Sequence, residues 1–364
     1  MGTADVAFDD RYRRILRAAA TRGGWTVGRQ DVFLRRLRTP RKARTHGAGN
    51  ARRRGRLVLR ALRSLILAAA DSPRVRRFVR RYGDRFGAKR FVAGETLDEF
   101  LTVAKAANTQ GFAVAAGVLG EGVRTAQEAD AAADRYCELL QIFHARGIDA
   151  NVAFKLTHVG LDIDPELAFA NASRIARTAR DTGNTMRLDM EQSRYVDATL
   201  AIYRRLRAEY DCVGCVLQSY LYRSAGDLQS LLASGLNVRI VKGAYLEPPD
   251  AAYPKKSDVD AQYVRLAAQA LERGQYTAIA THDTKIVDAM KRRAHELGLP
   301  KRGRFEFQLL YGIRTDVARE LVREGYRVRL AIPFGQDWFP YLMRRLAERP
   351  ANLAFVLRAS LRRS

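Results

Sequence analysis

Residues 150–190 decide the fold: Ala150-Asn151-Val152-Ala153-Phe154-Lys155-Leu156, a helical stretch over Pro165–Asp181, then Thr185-Met186-Arg187-Leu188-Asp189-Met190. A short apolar segment, a helix-patterned one and a second short apolar segment make one parallel strand–helix–strand unit. The same unit recurs on both sides. Working outward, strand candidates lie at 112–119, 213–220, 238–241, 276–281, Phe305–Leu310 and 327–332, with helical patterns such as 197–209, 258–273 and 316–324 in the gaps. Eight strands and eight intervening or closing helices in roughly 240 residues fit an α/β fold of the (β/α)8 TIM-barrel type, which takes about 250. A doubly wound sheet usually stops at five or six strands.

The bulk composition is that of a globular enzyme. With 364 residues, 47% hydrophobic and 28% charged, the chain can bury a large core without disulfides or metals. Three cysteines, Cys137, Cys212 and Cys215, are too few and odd in number for a disulfide framework, which points to a reducing compartment. No run of about 18 apolar residues suggests a membrane span, and the start does not read as a secretory signal, so a cytoplasmic location is expected. The formal net charge is +25, and residues 1–90 hold 26 Lys and Arg against 6 Asp. The excess therefore belongs to the N-terminal part. Such a block attracts nucleic acid or anionic lipid, or is simply a solvated tail. Within it, Arg56, Arg60 and Arg63 share one helical face while Val58, Leu62, Leu65 and Ala69 line another. That pattern suits a helix lying on a membrane surface or one packed on its own domain. The expected layout is a basic, mobile extension over 1–55, a helical segment over 56–109, the barrel over 110–358 and a tail at 359–364.

Barrels of this type keep their chemistry at the C-terminal ends of the strands. Polar residues stand there in succession: Lys155-Leu156-Thr157, Asp189-Met190-Glu191, Gln218-Ser219-Tyr220, Arg239 through Lys242-Gly243-Ala244-Tyr245, Thr281-His282-Asp283 and Glu306-Phe307-Gln308. Alternation along the strands directs Lys155, Asp189, Gln218 and Lys242 toward the barrel mouth. Any single buried charge among them fits a structural ion pair equally well. It is their convergence on one rim that points to a site. Near the C-terminus, Arg344 and Glu348 are i, i+4 neighbours with Arg345 beside them, a spacing that suits either a carboxylate anchor or an exposed salt bridge. No G-x-S-x-G elbow, P-loop or G-x-G-x-x-G is present, and no His, Cys and acidic grouping has metal spacing. Cys212 and Cys215 are expected in the core.

Several motifs together resemble the monofunctional bacterial proline dehydrogenases. They are Phe91-Val92-Ala93-Gly94-Glu95-Thr96, Lys155-Leu156-Thr157, Arg187-Leu188-Asp189-Met190-Glu191, Gln218-Ser219-Tyr220-Leu221 and Val241-Lys242-Gly243-Ala244-Tyr245-Leu246-Glu247-Pro248. Ala280-Thr281-His282-Asp283, Phe305-Glu306-Phe307-Gln308-Leu309-Leu310-Tyr311-Gly312 and residues 337–352 complete the set, in family order over about residues 57–358. The resemblance implies a barrel binding FAD non-covalently, which oxidises L-proline to Δ1-pyrroline-5-carboxylate as the first step of proline catabolism and passes electrons to membrane quinone. It implies cofactor contacts at Met190, Gln218, Arg239, Lys242, Gly243, Ala244, Thr281 and His282. It places Lys155, Arg344 and Arg345 on the substrate carboxylate, Glu348 near the ring nitrogen, and Tyr245 and Leu310 as apolar walls. Asp189 would hold Lys155, and Arg239 would lie against the flavin.

One departure bears on the substrate. The family usually carries a tyrosine where this chain has Ala331, and that tyrosine packs on the substrate ring. The loss of its volume implies weaker proline binding, or acceptance of 4-hydroxyproline or another cyclic or secondary amino acid. A reading from a different class is an inactive barrel serving as a basic nucleic-acid- or lipid-binding protein; the set of lysine, aspartate and paired arginines stands against it. The basic start could instead dock the enzyme peripherally on the inner face of the cell membrane, with nucleic acid not expected as a partner.

Overall fold

The computed structural model describes residues 90–120, 123–233 and 235–348, with the backbone alone at 344–348. The expectations for the extension over 1–55, the amphipathic helix over 56–70 and the tail at 359–364 lie outside the described residues. The chain divides into Met1–Arg60 and Ala61–Ser364, and every described residue belongs to the second unit.

Helix α1 (Leu97–Thr109) precedes eight strand–helix repeats. The strands are β1 (Ala113–Val118), β2 (Ala150–Lys155), β3 (Met186–Asp189), β4 (Val213–Gln218), β5 (Asn237–Val241), β6 (Tyr276–Ala280), β7 (Phe305–Leu310) and β8 (Val328–Phe334). The helices that follow them are α2 (Ala126–Ala145), α3 (Pro165–Asp181), α4 (Val196–Glu209), α5 (Ser224–Leu232), α6 (Lys256–Arg273), α7 (Thr284–Glu296), α8 (Thr315–Arg323) and α9 (Trp338–Glu348). All strand pairs are parallel and run in chain order, and β8 returns to β1 to close the barrel. The expected (β/α)8 barrel is the observed fold.

Local chemistry explains where the helices start. Thr96 with Glu99 and Thr125 with Glu128 form reciprocal capping boxes on α1 and α2. Asp164 accepts from the Glu166 amide ahead of Pro165, which needs no hydrogen-bonded N–H in the first turn of α3. The inward stripe of α3 is Ala168, Ala172, Ile175, Ala176 and Ala179, all fully buried, so small side chains let the helix lie close on the sheet. The apolar core fills the layer between helices and strands, with Val152, Phe154, Leu188, Val238, Ile240 and Phe307 from the sheet.

The register fixes what faces the barrel axis. Register partners in parallel strands point to the same side. Lys155 lies opposite Asp189, Val216 opposite Arg239, Gln218 opposite Val241, Ala278 opposite Glu306, Gln308 opposite Arg329, and Leu310 opposite Ala331. The inner face is therefore unusually polar for a packed barrel.

Strand ends differ from expectation by one or two residues. β8 continues through Phe334 because Ala93 donates to the Pro333 carbonyl and Leu119 to the Phe334 carbonyl, so long-range partners prolong the strand. β4 stops at Gln218 because the following turn is drawn to the loop after β5, where Tyr253 donates to the Tyr220 carbonyl.

Candidate active site

The mouth of the barrel is assembled from the ends of strands β2 to β8 and their loops. Lys155 closes β2, and the 3-10 turn Leu156–Val159 begins directly after it. Thr157 of that turn donates from Oγ1 to Glu191 Oε1 at 2.8 Å, and Gln218 Nε2 donates to the Met190 and Glu191 carbonyls at 2.9 Å each. The ends of β2, β3 and β4 are thereby tied together. Glu191 is buried; burial raises its pKa, against the lowering effect of the Thr157 hydrogen bonds and the Lys155 charge.

Asp189 at the end of β3 accepts from Arg239 Nη2, which reaches across from β5. Lys155 stands beside Asp189 in the β2–β3 register. Thus Asp189 serves Arg239 directly, a pairing that the resemblance did not specify. Burial first, and the charge of Arg187 next, push the Arg239 pKa down, against the raising effect of the Glu306 charge.

Lys242 departs from the expected inward direction. Arg239 faces inward and Lys242 is three residues later, so the two differ in parity. Its ammonium is held at the rim by Asp260 of α6 at 2.6 Å and Asp283 at 3.0 Å. Asp283 also caps α7 through the Lys285 amide. Burial raises the Asp283 pKa, yet the Lys242 hydrogen bond and charge outweigh it and leave it lowered.

The loop after β5 is shaped by close packing. Gly243 has φ +105°, and a Cβ there would run into the Tyr220 ring. Glu247 accepts from the Ser193 amide at 2.8 Å, from Ser193 Oγ at 2.5 Å and from Tyr220 Oη at 3.2 Å, pinning the stretch that carries Gly243, Ala244 and Tyr245. On the far side, His282 Nε2 accepts from the Leu310 amide at 2.9 Å and Thr281 Oγ1 accepts from the Asp283 amide at 3.1 Å. Leu310 and the partly exposed Ala331 are neighbours in register. Met190 is buried beneath this rim.

Segment 91–96 lies along the end of β8, where Gly335 donates to the Gly94 carbonyl and Trp338 Nε1 donates to Glu95 Oε1 at 2.6 Å. These bonds seat the start of α9. The backbone of α9 carries Arg344, Arg345 and Glu348, whose side chains lie outside the described residues.

Two buried polar atoms at the mouth lack a protein partner, Gln218 Oε1 and Arg239 Nε. Buried acceptors and donors are almost always satisfied, so this pair offers an acceptor and a donor to a polar ligand or water at the mouth. Together with the Gly243 cradle and the cations at positions 239 and 242, the donor set fits a large, flat, anionic cofactor.

Sequence reasoning did not assign the layer beneath. Arg329 Nε donates to Glu306 Oε1 at 2.9 Å, Gln308 Nε2 donates to the same oxygen at 2.5 Å, and Arg239 Nη1 donates to Gln308 Oε1 at 3.4 Å. Burial raises the Glu306 pKa, but the charge and hydrogen bond of Arg329 win and lower it to about 2. The available signal was alternation: Gln308 sits two places before Leu310, Arg329 two places before Ala331, and Glu306 shares their parity.

Comparison with known proteins places this geometry. The family described as proline dehydrogenase matches residues 100–358. Proline dehydrogenase from Deinococcus radiodurans is 43% identical over 307 residues, covering 82% of this chain and 98% of that protein. Proline dehydrogenase 1 from Bacillus subtilis subsp. natto is 39% identical over 302 residues, covering 83% of this chain and all of that one. Among solved structures, proline utilization A (PutA) from Bdellovibrio bacteriovorus, inactivated by N-propargylglycine, superposes with a TM-score of 0.68 at 28% identity. That match covers 73% of this chain and 33% of the larger PutA chain. With the closed barrel, a family match over most of the chain and near-complete coverage of both relatives, the chain belongs to the proline dehydrogenase family.

Proposed function

We propose that this chain oxidises L-proline to Δ1-pyrroline-5-carboxylate with non-covalent FAD and delivers the electrons to a membrane quinone. Family membership makes it an oxidoreductase acting on the CH–NH group of proline. The observation that carries the finer reading is the cluster at the mouth, where Lys155, the Asp189–Arg239 pair and Gln218 with its unmet Oε1 stand at adjacent strand ends.

FAD, when bound, supplies the acceptor for two electrons and a proton's worth of hydride chemistry. Met190, Gln218, Arg239, Lys242, Gly243, Ala244, Thr281 and His282 are the residues that would hold it. Gln218 offers an acceptor and Arg239 a donor, and Lys242, fixed by two carboxylates, offers a rim charge suited to a phosphate. His282 accepts from the Leu310 amide at Nε2, leaving Nδ1 as the ring's donor in its neutral form. On the substrate side, Lys155 takes the carboxylate together with Arg344 and Arg345 of α9. Glu348 would face the ring nitrogen, while Tyr245 and Leu310 wall the ring. Fixing the carboxylate at one end orients the reacting carbon without any protein nucleophile. The surrounding cations and exclusion of water favour the neutral amine, whose lone pair assists loss of hydride.

The test is direct. Purified full-length protein should be yellow, and its visible flavin absorbance should bleach anaerobically on adding L-proline. Colourless protein that retains nucleic acid at moderate salt overturns the reading in favour of a basic binding protein. Lys155→Met should lower kcat/KM for proline by roughly 10- to 100-fold, the loss of one charge-assisted contact.

A second reading of the substrate rests on Ala331. It stands between Leu310 and Ala115 on the inner face, and a methyl group leaves space where a larger wall would touch the ring. That space admits a ring bearing a hydroxyl, as in 4-hydroxyproline. Steady-state kinetics on both amino acids decide it, and a strong preference for unsubstituted proline removes this reading.

The basic N-terminal part has a use in the same scheme. No helix among the described residues is long and apolar enough to cross a membrane, so a bilayer acceptor calls for peripheral docking on anionic lipid at the cytoplasmic face. Full-length protein should co-sediment with anionic liposomes more strongly than a chain beginning at Arg74, and equal binding would remove the role.

A further inference from the structure

At the mouth and just below it, the inner face of the barrel sets three guanidinium groups, Arg187, Arg239 and Arg329, against two carboxylates, Asp189 and Glu306. The pairing is uneven. Asp189 takes Arg239; Glu306 takes Arg329 at 2.9 Å and Arg327 at 3.4 Å on its other oxygen. Arg187, only 4% exposed, donates to two neutral acceptors, the Cys215 carbonyl at 3.0 Å and Asn237 Oδ1 at 2.9 Å. Among the described residues no carboxylate forms an ion pair with it.

The fold makes room for this cation. A Cβ on Gly214 would lie 2.7 Å from Arg187 Nη1, so glycine at that point of β4 leaves the guanidinium its space. A buried charge with neutral partners adds little stability, but its field crosses a low-dielectric interior with little screening. Asp189 is two residues further along the same strand, about 6–7 Å nearer the mouth. Arg239 is placed between the two carboxylates, with Asp189 above it and Glu306 below, reached through Gln308. Arg187 and Arg329 both repel it from the lower position.

We propose that Arg187 is a positioning residue acting through Arg239: its charge, paired with no carboxylate, holds that guanidinium up against Asp189 and adds positive potential at the mouth, so that the site favours the more negatively charged form of its redox partner. This inference rests on the flavin reading above.

Asn237→Asp is the sharpest test, because it places a carboxylate on an atom already bonded to Arg187 and opens no cavity. Measured on full-length protein with bound flavin by equilibrium dye titration, the two-electron reduction constant should fall about tenfold, which is about 30 mV. The urea midpoint should stay or rise. Arg187→Met should shift the potential in the same direction, and Arg187→Lys should keep it near wild type. A yellow wild type whose potential Asn237→Asp leaves within twofold overturns this inference alone. So does a shift in Arg187→Met without one in Asn237→Asp, which makes the residue a packing element. A colourless wild type overturns the functional reading and this inference with it.

Discussion

At Glu306 a single carboxylate holds the barrel interior together. It is 1% exposed and accepts from Arg329 and Gln308, with Arg327 on its second oxygen. Removing one member of a buried ionic cluster leaves the others uncompensated, which typically costs about 3–5 kcal/mol. Glu306→Gln should therefore lower stability by about that amount, read from urea unfolding curves; a change below about 1 kcal/mol would show that the arginines re-pair. Gly243 is sensitive for a different reason. Alanine there would have to adopt φ +105° and displace the Tyr220 ring. Strain of about 1–3 kcal/mol follows, and because the strain sits in the candidate cofactor cradle, Gly243→Ala should lower flavin content per polypeptide more than it lowers the melting temperature.

Elements in this barrel begin where side chains satisfy the free amides of a helix start. On α2, Thr125 Oγ1 accepts from the Glu128 amide at 3.2 Å while Glu128 accepts from the Thr125 amide at 3.3 Å. Thr125→Ala removes half of that box and should cost about 1 kcal/mol, or about 1–2 °C in melting temperature for a chain of this size. Activity should be retained, since Thr125 and Glu128 are both exposed and their hydrogen bonds stay within this cap. The helix boundaries were legible in the sequence for the same reason: Asp164-Pro165 and the span to Asp181 mark α3 by local chemistry alone. Strand ends were less legible. Whether β8 stops at Ile332 or Phe334 depends on Ala93 and Leu119, more than two hundred residues away in the chain.

The whole molecule responds to acid through its buried carboxylates, and their signs differ. Glu306 falls from an ordinary 4.5 to about 2 in the folded state. A lowered carboxylate contributes stability that is complete above the unfolded value and is lost as pH falls through the folded one. For a fully buried group this is on the order of 3 kcal/mol, removed between about pH 4.5 and about pH 2. Glu191 has the opposite sign, since its raised value means that protonation relieves its burial. Unfolding free energy measured against pH should drop across that window in the wild type, and the drop should be markedly shallower in Glu306→Gln. Equal slopes would assign acid sensitivity elsewhere.

The order of strands and helices, the barrel class and the family were all written in local patterns and motifs, because alternation, caps and spacing act between near neighbours. So was the set of polar strand ends, from Lys155 to His282. Which of them meet was a tertiary matter. Asp189 pairs with Arg239, fifty residues on, and Lys242 turns to Asp260 and Asp283 because closing the barrel sets register and parity across strands. The buried arginine layer emerges only there too, since a cation's partners depend on what the closed sheet brings within reach.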